Sequence, residues 1–388
     1  MASADVISYL EALQVQHVAS SPSLGEKLGR LLTFFRKREW HQFTDVLEEI
    51  VTEPVALTPP FLVDLYNKCV IHNEKRLNQL RLVKFLAFVM KQLPDVKARL
   101  EFTAATIPKV SLKDHPDANI SVRALHLEGL VQSGDLAAAK PEVEQLEQDL
   151  LSRVGIDPSV YARFYAVKCL YHKTQNQLSE FYHSGFQYLA YQPLDGIPLP
   201  EQRDLAFSLA IATLVEERLF NFGELLLNPV IASLEDSCCW MVELLRVFYT
   251  GDITGYINVC EKYKDNLNSQ PALVSNFQML REKMSIMALV CYSFRQPGGS
   301  KLLPFDVIAR ETQLALDDVE LMVMKAMSLN LIRGTIDQID QNVTVTWVQP
   351  RHLGMDQLRA MQQQLGCWAE KVRETAALLE QETKDLTV

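Results

Sequence analysis

Long apolar runs are missing from this 388-residue chain. Its most apolar stretch, LAFSLAIATLV at 205–215, is about half the length of a bilayer-spanning helix and suits a buried core helix. The opening MASADVISYLEAL has neither a basic segment nor an extended apolar core, so no signal peptide is expected there. Positive charge is also in deficit: 38 Lys and Arg against 48 Asp and Glu give a net charge of −10 and a pI near 5.4. Lys and Arg hold polyanions through counterion release, so neither nucleic acid nor an anionic membrane is an expected partner of the whole molecule.

Motifs that carry chemistry are absent too. No HExxH, His-x-His, GxSxG, GxxxxGK-S/T or GxGxxG occurs, and the histidines are scattered along the chain. The seven cysteines include no Cys-x-x-Cys and no metal-ligand spacing; they are expected to be reduced, with the adjacent Cys238 and Cys239 buried rather than redox-active. PGGSK at 297–301 lacks the first glycine of a phosphate loop and a preceding strand, and is read as a linker. Acidic pairs such as Glu48-Glu49, Glu216-Glu217 and Asp317-Asp318 fall in helical contexts, where a solvated face or a helix N-terminus accounts for them. No catalytic residue, cofactor or metal is therefore expected, and the balance shifts toward a binding or scaffold protein.

What the chain does have is helix. Hydrophobic residues make up 48% of it, ample for packed domains, and breaker clusters at 53–60, 113–119, 155–159, 192–200, 268–271 and 295–300 separate amphipathic segments. Four blocks share one plan, an apolar helix, a small polar turn and a second apolar helix: LTFFRKREWHQFTDVLEEI, LEGLVQSGDLAAAKPEVEQLEQDL, KCLYHKTQNQLSEFYHSGFQYL and LLRVFYTGDITGYINVCEKY. Gly134, Asn176 and Gly251 occupy the turns, and these residue types tolerate the positive φ of a tight connection. One hairpin cannot bury its own apolar face, so residues 1 to about 290 predict an irregular α-solenoid in which neighbours cover one another.

The pattern changes after RQPGGS. LPFDVIARE predicts a short helix, TQLA a turn, and LDDVELMVMKAMSLNL a second helix with a buried stripe of Val319, Met322, Val323 and Ala326, opened by a capping box from Asp317 to Glu320. A β-hairpin should follow, with residues 331–336 pairing the alternating strand at 343–348 across DQIDQN. Two helices and a hairpin are the parts of a winged helix. The hairpin could grip nucleic acid, offer a sheet edge to another protein, or simply pack. Residues 301–350 carry four basic and seven acidic side chains, and the second helix opens with Asp-Asp-Val-Glu, which repels phosphate. Leu358, Met361, Leu365, Trp368, Val372 and Leu379 then mark a heptad seam on a helix spanning about 355–380, with Thr375 as its one polar slot. That helix either folds back on its own domain or enters a bundle with other chains.

A helical-repeat array running into a winged helix resembles the PCI module shared by the proteasome lid, the COP9 signalosome and translation initiation factor three. LFNFGELLLNPVIASL (219–234), DDVELMVMKAMSLNLIRGTIDQID (317–340) and VTVTWVQPRHL (343–353) are similar to PCI-domain lid subunits of the 26S proteasome regulatory particle, of the non-ATPase class. The likeness covers most of residues 28–388. It implies a mainly α fold: an irregular α-solenoid of helical hairpins, a winged-helix (PCI) domain and a long C-terminal helix. The expected division is 1–172 N-terminal repeats, 173–350 PCI module with its winged helix at 301–350, and 351–388 bundle helix. The resemblance further implies a non-catalytic scaffold in the cytoplasm and nucleus, with other PCI and lid subunits as partners. Winged-helix edges pair side by side in that family and C-terminal helices gather in one bundle. The expected interface residues are accordingly Val343, Thr344, Val345, Thr346 and Trp347 in the wing, and Leu358, Met361, Leu365, Trp368, Val372 and Leu379 in the tail. A sister complex, or less readily a nucleic-acid adaptor, is the alternative.

Overall fold

The structure, a computed structural model, describes all residues except 1, 19–20, 54, 57, 72, 94, 111–113, 236, 297–300, 351–354 and 384–388. It is mainly helical and divides into two compact units, Met1–Gly196 and Ile197–Val388. An α-solenoid of helical hairpins, a winged helix and a long C-terminal helix make up the fold.

All four blocks fold as helical hairpins, three of them through the turn residues their chemistry predicts. Pro116–Ser133 turns into Leu136–Leu151 through Gly134, at φ 82°, and Pro158–Thr174 into Leu178–Tyr191 through Asn176, at φ 55°. Gly251, at φ 71°, joins Cys239–Thr250 to Ile253–Lys262. The first hairpin, Pro22–Lys37 and Trp40–Val51, closes on a residue the sequence does not flag: Arg38 takes φ 62° and its N–H returns to the carbonyls of Phe34 and Phe35.

In the first unit, apolar side chains meet inside and between hairpins. Leu28, Leu31 and Phe35 pack with Phe43, Leu47 and Ile50, while Leu127 and Val131 share a second cluster with Val143, Leu146, Phe164 and Val167. Each such buried aliphatic or aromatic side chain contributes about 1.5–3 kcal/mol, which is how hairpins that could not stand alone hold as a stack. Arg123 fastens one of these hairpins from the side, donating to Glu142 at 2.7 Å and Asp149 at 2.6 Å.

In the second unit, the stretch read as a buried core helix is the end of helix Leu199–Val215, with Leu209, Ala210, Ala212 and Leu214 enclosed. Helix Phe277–Arg295 runs through the middle of this unit and buries nearly its whole second half, Met284 to Cys291. Lys283 lies in that helix and is 2% exposed. Its ammonium donates to the carbonyls of Thr213 and Glu216, both at 2.6 Å, with the Phe220 and Phe222 rings 5.1 and 5.3 Å away.

Among the described residues, three strands complete the winged helix: β1 (Lys301–Pro304), β2 (Ile332–Asp337) and β3 (Asn342–Val348), all antiparallel in the order β1-β3-β2. Helices Phe305–Thr312 and Leu316–Ser328 lie between β1 and β2 in the chain. Three local expectations need correction. Asp317 does not cap the second helix: Ala315, in extended geometry, is the N-cap without a side-chain bond, which puts Asp317 and Asp318 in the first turn, beside the positive end of the helix dipole. The short helix starts at Phe305, because Leu303 and Pro304 are claimed by the sheet, as is Lys301 at the end of the stretch read as a linker; the linker residues 297–300 lie outside the described residues. Cys238 is only half-buried and Cys239 is exposed, since the pair stands at the start of a helix rather than on its packed face.

Candidate assembly surfaces

The sheet decides what the wing can offer. β3 is the middle strand, so its main chain pairs on both sides, and the outer strands are β1 and β2. Val343 stands between Leu303 and Ile336, and Val345 between Lys301 and Gly334. Both valines are buried, packing the wing onto the domain. Thr344 is half-buried and Thr346 exposed, with its hydroxyl donating to the Arg333 carbonyl at 3.1 Å.

Trp347 is half-buried opposite Arg333, whose guanidinium lies 4.6 Å from the ring centroid while its Nε donates to Asn330 Oδ1 at 3.0 Å. A guanidinium over an indole face is an attractive pair that covers the ring from solvent. The register slips between Arg333 and Gly334, and a Cβ at Gly334 would meet the Thr344 carbonyl oxygen at 2.1 Å. Only glycine admits that bulge, which twists β2 at its free side.

The core of the winged helix holds the hairpin by main chain as well as by side chain. The Phe305 N–H donates to Gln341 O at 2.8 Å, and the Gln349 N–H to Leu331 O at 2.8 Å. Val319, Met322, Val323 and Ala326 form the buried stripe of the second helix, as its periodicity predicts. Lys325 pairs with Glu282 at 2.6 Å, tying this helix to Phe277–Arg295.

The tail helix, Met355–Thr383, extends about 43 Å at 1.5 Å per residue. Its seam residues all face solvent, from 45% exposure at Leu358 to 66% at Trp368, with Met361, Leu365, Val372 and Leu379 between. Thr375, the polar slot, turns its hydroxyl back to the Lys371 carbonyl at 2.8 Å. An amphipathic helix gains most of its stability by packing its apolar face, and here that face is open at the described seam positions from Leu358 to Leu379.

The candidate residues thus form two separate groups, one inside and around the wing, one along the tail. Three features carry little or no signal in the sequence. Strand β1 had no signal beyond Leu302-Leu303 ahead of a proline. Lys283 reads as a solvent residue in an apolar stretch. The third is an apolar groove formed by several short helices. Among the described residues no group of three or more His, Cys, Asp or Glu side chains is arranged to hold a metal ion, and no helix is long and apolar enough to cross a membrane.

Helical hairpins leading into a winged helix define a PCI scaffold, and the PCI domain model matches residues 260–347. The model for PSD13 N-terminal repeats matches residues 27–245, more than half of the chain. The chain is 36% identical to 26S proteasome non-ATPase regulatory subunit 13 homolog B of Arabidopsis thaliana, over 98% of both chains. It is 33% identical to 26S proteasome non-ATPase regulatory subunit 13 of Dictyostelium discoideum over the full length of both, and 28% identical to 26S proteasome regulatory subunit RPN9 of Saccharomyces cerevisiae over 95% of both. The chain belongs to the family of 26S proteasome non-ATPase regulatory subunit 13.

Proposed function

We propose that this chain is a non-catalytic structural subunit of the lid of the proteasome regulatory particle, supporting its assembly and, through it, ubiquitin-dependent protein degradation. The observation that carries the reading is the tail helix, with six apolar side chains at heptad spacing exposed to solvent. Such a seam is stable when knobs from neighbouring helices fill it. Relatives matched end to end are named as proteasome regulatory subunits, which favours this particle over its sister complexes.

On this reading the partners are other PCI and lid subunits in a hetero-oligomer. The tail enters a helical bundle through Leu358, Met361, Leu365, Trp368, Val372 and Leu379. The wing joins side by side with a neighbouring winged helix. Because β3 is interior, the outer edge of β2 is the natural acceptor of a neighbouring strand, with Thr346 and Trp347 beside it and Val343, Thr344 and Val345 supporting from within. The acidic wing and second helix disfavour nucleic acid, and no role at a membrane is invoked. The subunit would act where the particle does, in the cytoplasm and the nucleus. By role, the chain divides into repeats at 1–172, a PCI module at 173–350 and a bundle helix at 351–388.

The test is size-exclusion of tagged full-length chain from cell extract against a chain ending at His352. Co-elution of the full chain alone with a megadalton particle that hydrolyses proteasome peptides is the expected result. Normal entry of the truncated chain would remove the tail from the account. Co-elution with a particle lacking peptidase activity would move the subunit to a sister complex.

A further inference from the structure

The second unit contains an apolar surface that neither the wing nor the tail accounts for. Helices Cys239–Thr250, Ile253–Lys262 and Phe277–Arg295, with the short helices Lys264–Asn268 and Pro271–Ser275 and the end of helix Phe305–Thr312, enclose an open groove of about 540 Å³. Its floor is set by Leu244, Leu273, Leu280 and Met284, all buried in the core. Its lips are large apolar side chains left half in water: Ile257, Val274 and Phe277, at 44%, 50% and 53% exposure.

Packing explains the floor but not the lips. Exposed apolar residues scattered singly need no account, whereas three of them lining one concave, apolar-floored groove mark a surface that gains by being covered. The charges around it are informative. Lys264, Arg281 and Glu261 are the charged side chains lining the groove, a net positive rim on a chain of net charge −10. Among the described residues neither Lys264 nor Arg281 has a carboxylate within ion-pair distance, although acidic residues are in excess. Charges beside these two in the chain are paired already, Lys262 with Glu243 and Glu282 with Lys325.

We propose that this groove is a docking site for an amphipathic helix of a partner protein, its apolar face entering between Ile257, Val274 and Phe277 and its acidic flank meeting Lys264 and Arg281. Helical walls with an apolar floor suit helix-in-groove recognition, in which aliphatic side chains at i, i+4 and i+7 fill the slot. The two unpaired cations set orientation and select against basic helices, because a basic flank would bring like charges together at the rim. The inference goes beyond the assembly reading and does not depend on it, since it uses neither the wing nor the tail and is tested on the isolated full chain.

The experiment measures fluorescence anisotropy of purified full-length chain with two labelled 18-residue helical peptides. They share one leucine stripe and differ in flanks, Glu in one and Lys in the other. The acidic peptide should bind at least about tenfold more tightly than the basic one. Phe277→Ala should weaken it about tenfold, with Val274→Ala as the second lip variant, and Lys264→Glu combined with Arg281→Glu should reverse the preference. All four positions are exposed, so the melting temperature should not change. Equal binding of both peptides, no binding of either, or insensitivity to both lip variants would overturn the proposal. Displacement of the acidic peptide by an equal concentration of a peptide of residues 355–383 would also overturn it, assigning the groove to this chain's own tail.

Discussion

The ammonium of Lys283 lies 2.6 Å from the main-chain carbonyl oxygen of Thr213, seventy residues earlier in the chain. It also reaches Leu214 O at 3.3 Å and Glu216 O at 2.6 Å, so a side chain from the middle helix of the second unit satisfies the open C-terminal carbonyls of helix Leu199–Val215. A cation at that end is also favoured by the helix dipole.

Removing this side chain should be costly because of the hydrogen bonds it supplies rather than its bulk. Lys283→Met keeps the volume and leaves buried carbonyls without donors, a loss of about 2 kcal/mol or more by thermal or urea melting of the full chain. Burial pushes the Lys283 pKa down to about 7 from 10.5, with Glu216 and Glu217 acting in the opposite direction. Between those values the unfolded chain holds the extra proton, so the stability that Lys283 confers grows as pH rises. The gap between wild type and Lys283→Met should therefore widen from pH 7 to pH 9. A variant as stable as wild type at both pH values would contradict this role.

Two turn glycines should differ when replaced by alanine. At Gly134 nothing lies within 4 Å of an added Cβ, so only the positive φ is penalised, about 1 kcal/mol. At Gly251 the same Cβ would fall 2.6 Å from Cys291 Sγ and 3.1 Å from Met287 O. Overpacking adds about 1–3 kcal/mol there. Gly251→Ala should lower the melting temperature more than Gly134→Ala, and the reverse order would show that the helix behind Gly251 yields freely.

Acid should weaken the first unit through two histidines. Burial holds the pKa of both His126 and His172 below the ordinary 6.5. Their Nδ1 atoms stand 2.9 Å from Thr103 Oγ1 and Gln177 Oε1 respectively. With the folded pKa below the unfolded one, the unfolded chain takes up protons first as pH falls through 6.5, and stability is lost from there down to the folded value. Denaturant melts at pH 7 and pH 5 should show this loss, and the His126→Gln, His172→Gln double variant should flatten it. An unchanged slope in the double variant would place the acid sensitivity elsewhere.

The parts of the fold that were legible are those specified within a few residues of themselves. Gly134, Asn176 and Gly251 announce their turns because a positive φ restricts residue type locally, and Val319, Met322, Val323 and Ala326 announce a buried face by spacing alone. Arg38, Gln313 and Gln341 adopt positive φ without any such signal, since closure of the surrounding structure forces the conformation on residues that do not prefer it. Strand β1 is four residues long and exists by pairing with β3, some forty residues away. Lys283 finds its partners among carbonyls that carry no residue identity, so no motif could point to it. The same holds for the groove: its lips, Ile257, Val274 and Phe277, come from different helices, and no one segment shows that they converge. Of the candidate interface, the tail seam was legible as a heptad pattern, whereas the interior place of β3 in the sheet was not.

On the proposed assembly role the exposed tail seam anchors this chain to others, and Trp368 is its largest side chain. The most direct measurement is the affinity of Trp368→Ala full-length chain for a lid prepared without this subunit, taken together with the melting temperature of the free variant. A loss of about 2 kcal/mol, roughly thirtyfold in affinity, is expected, with the free chain melting as wild type does. Unchanged affinity, or a free chain that melts at lower temperature, would contradict it and make Trp368 part of this chain's own packing.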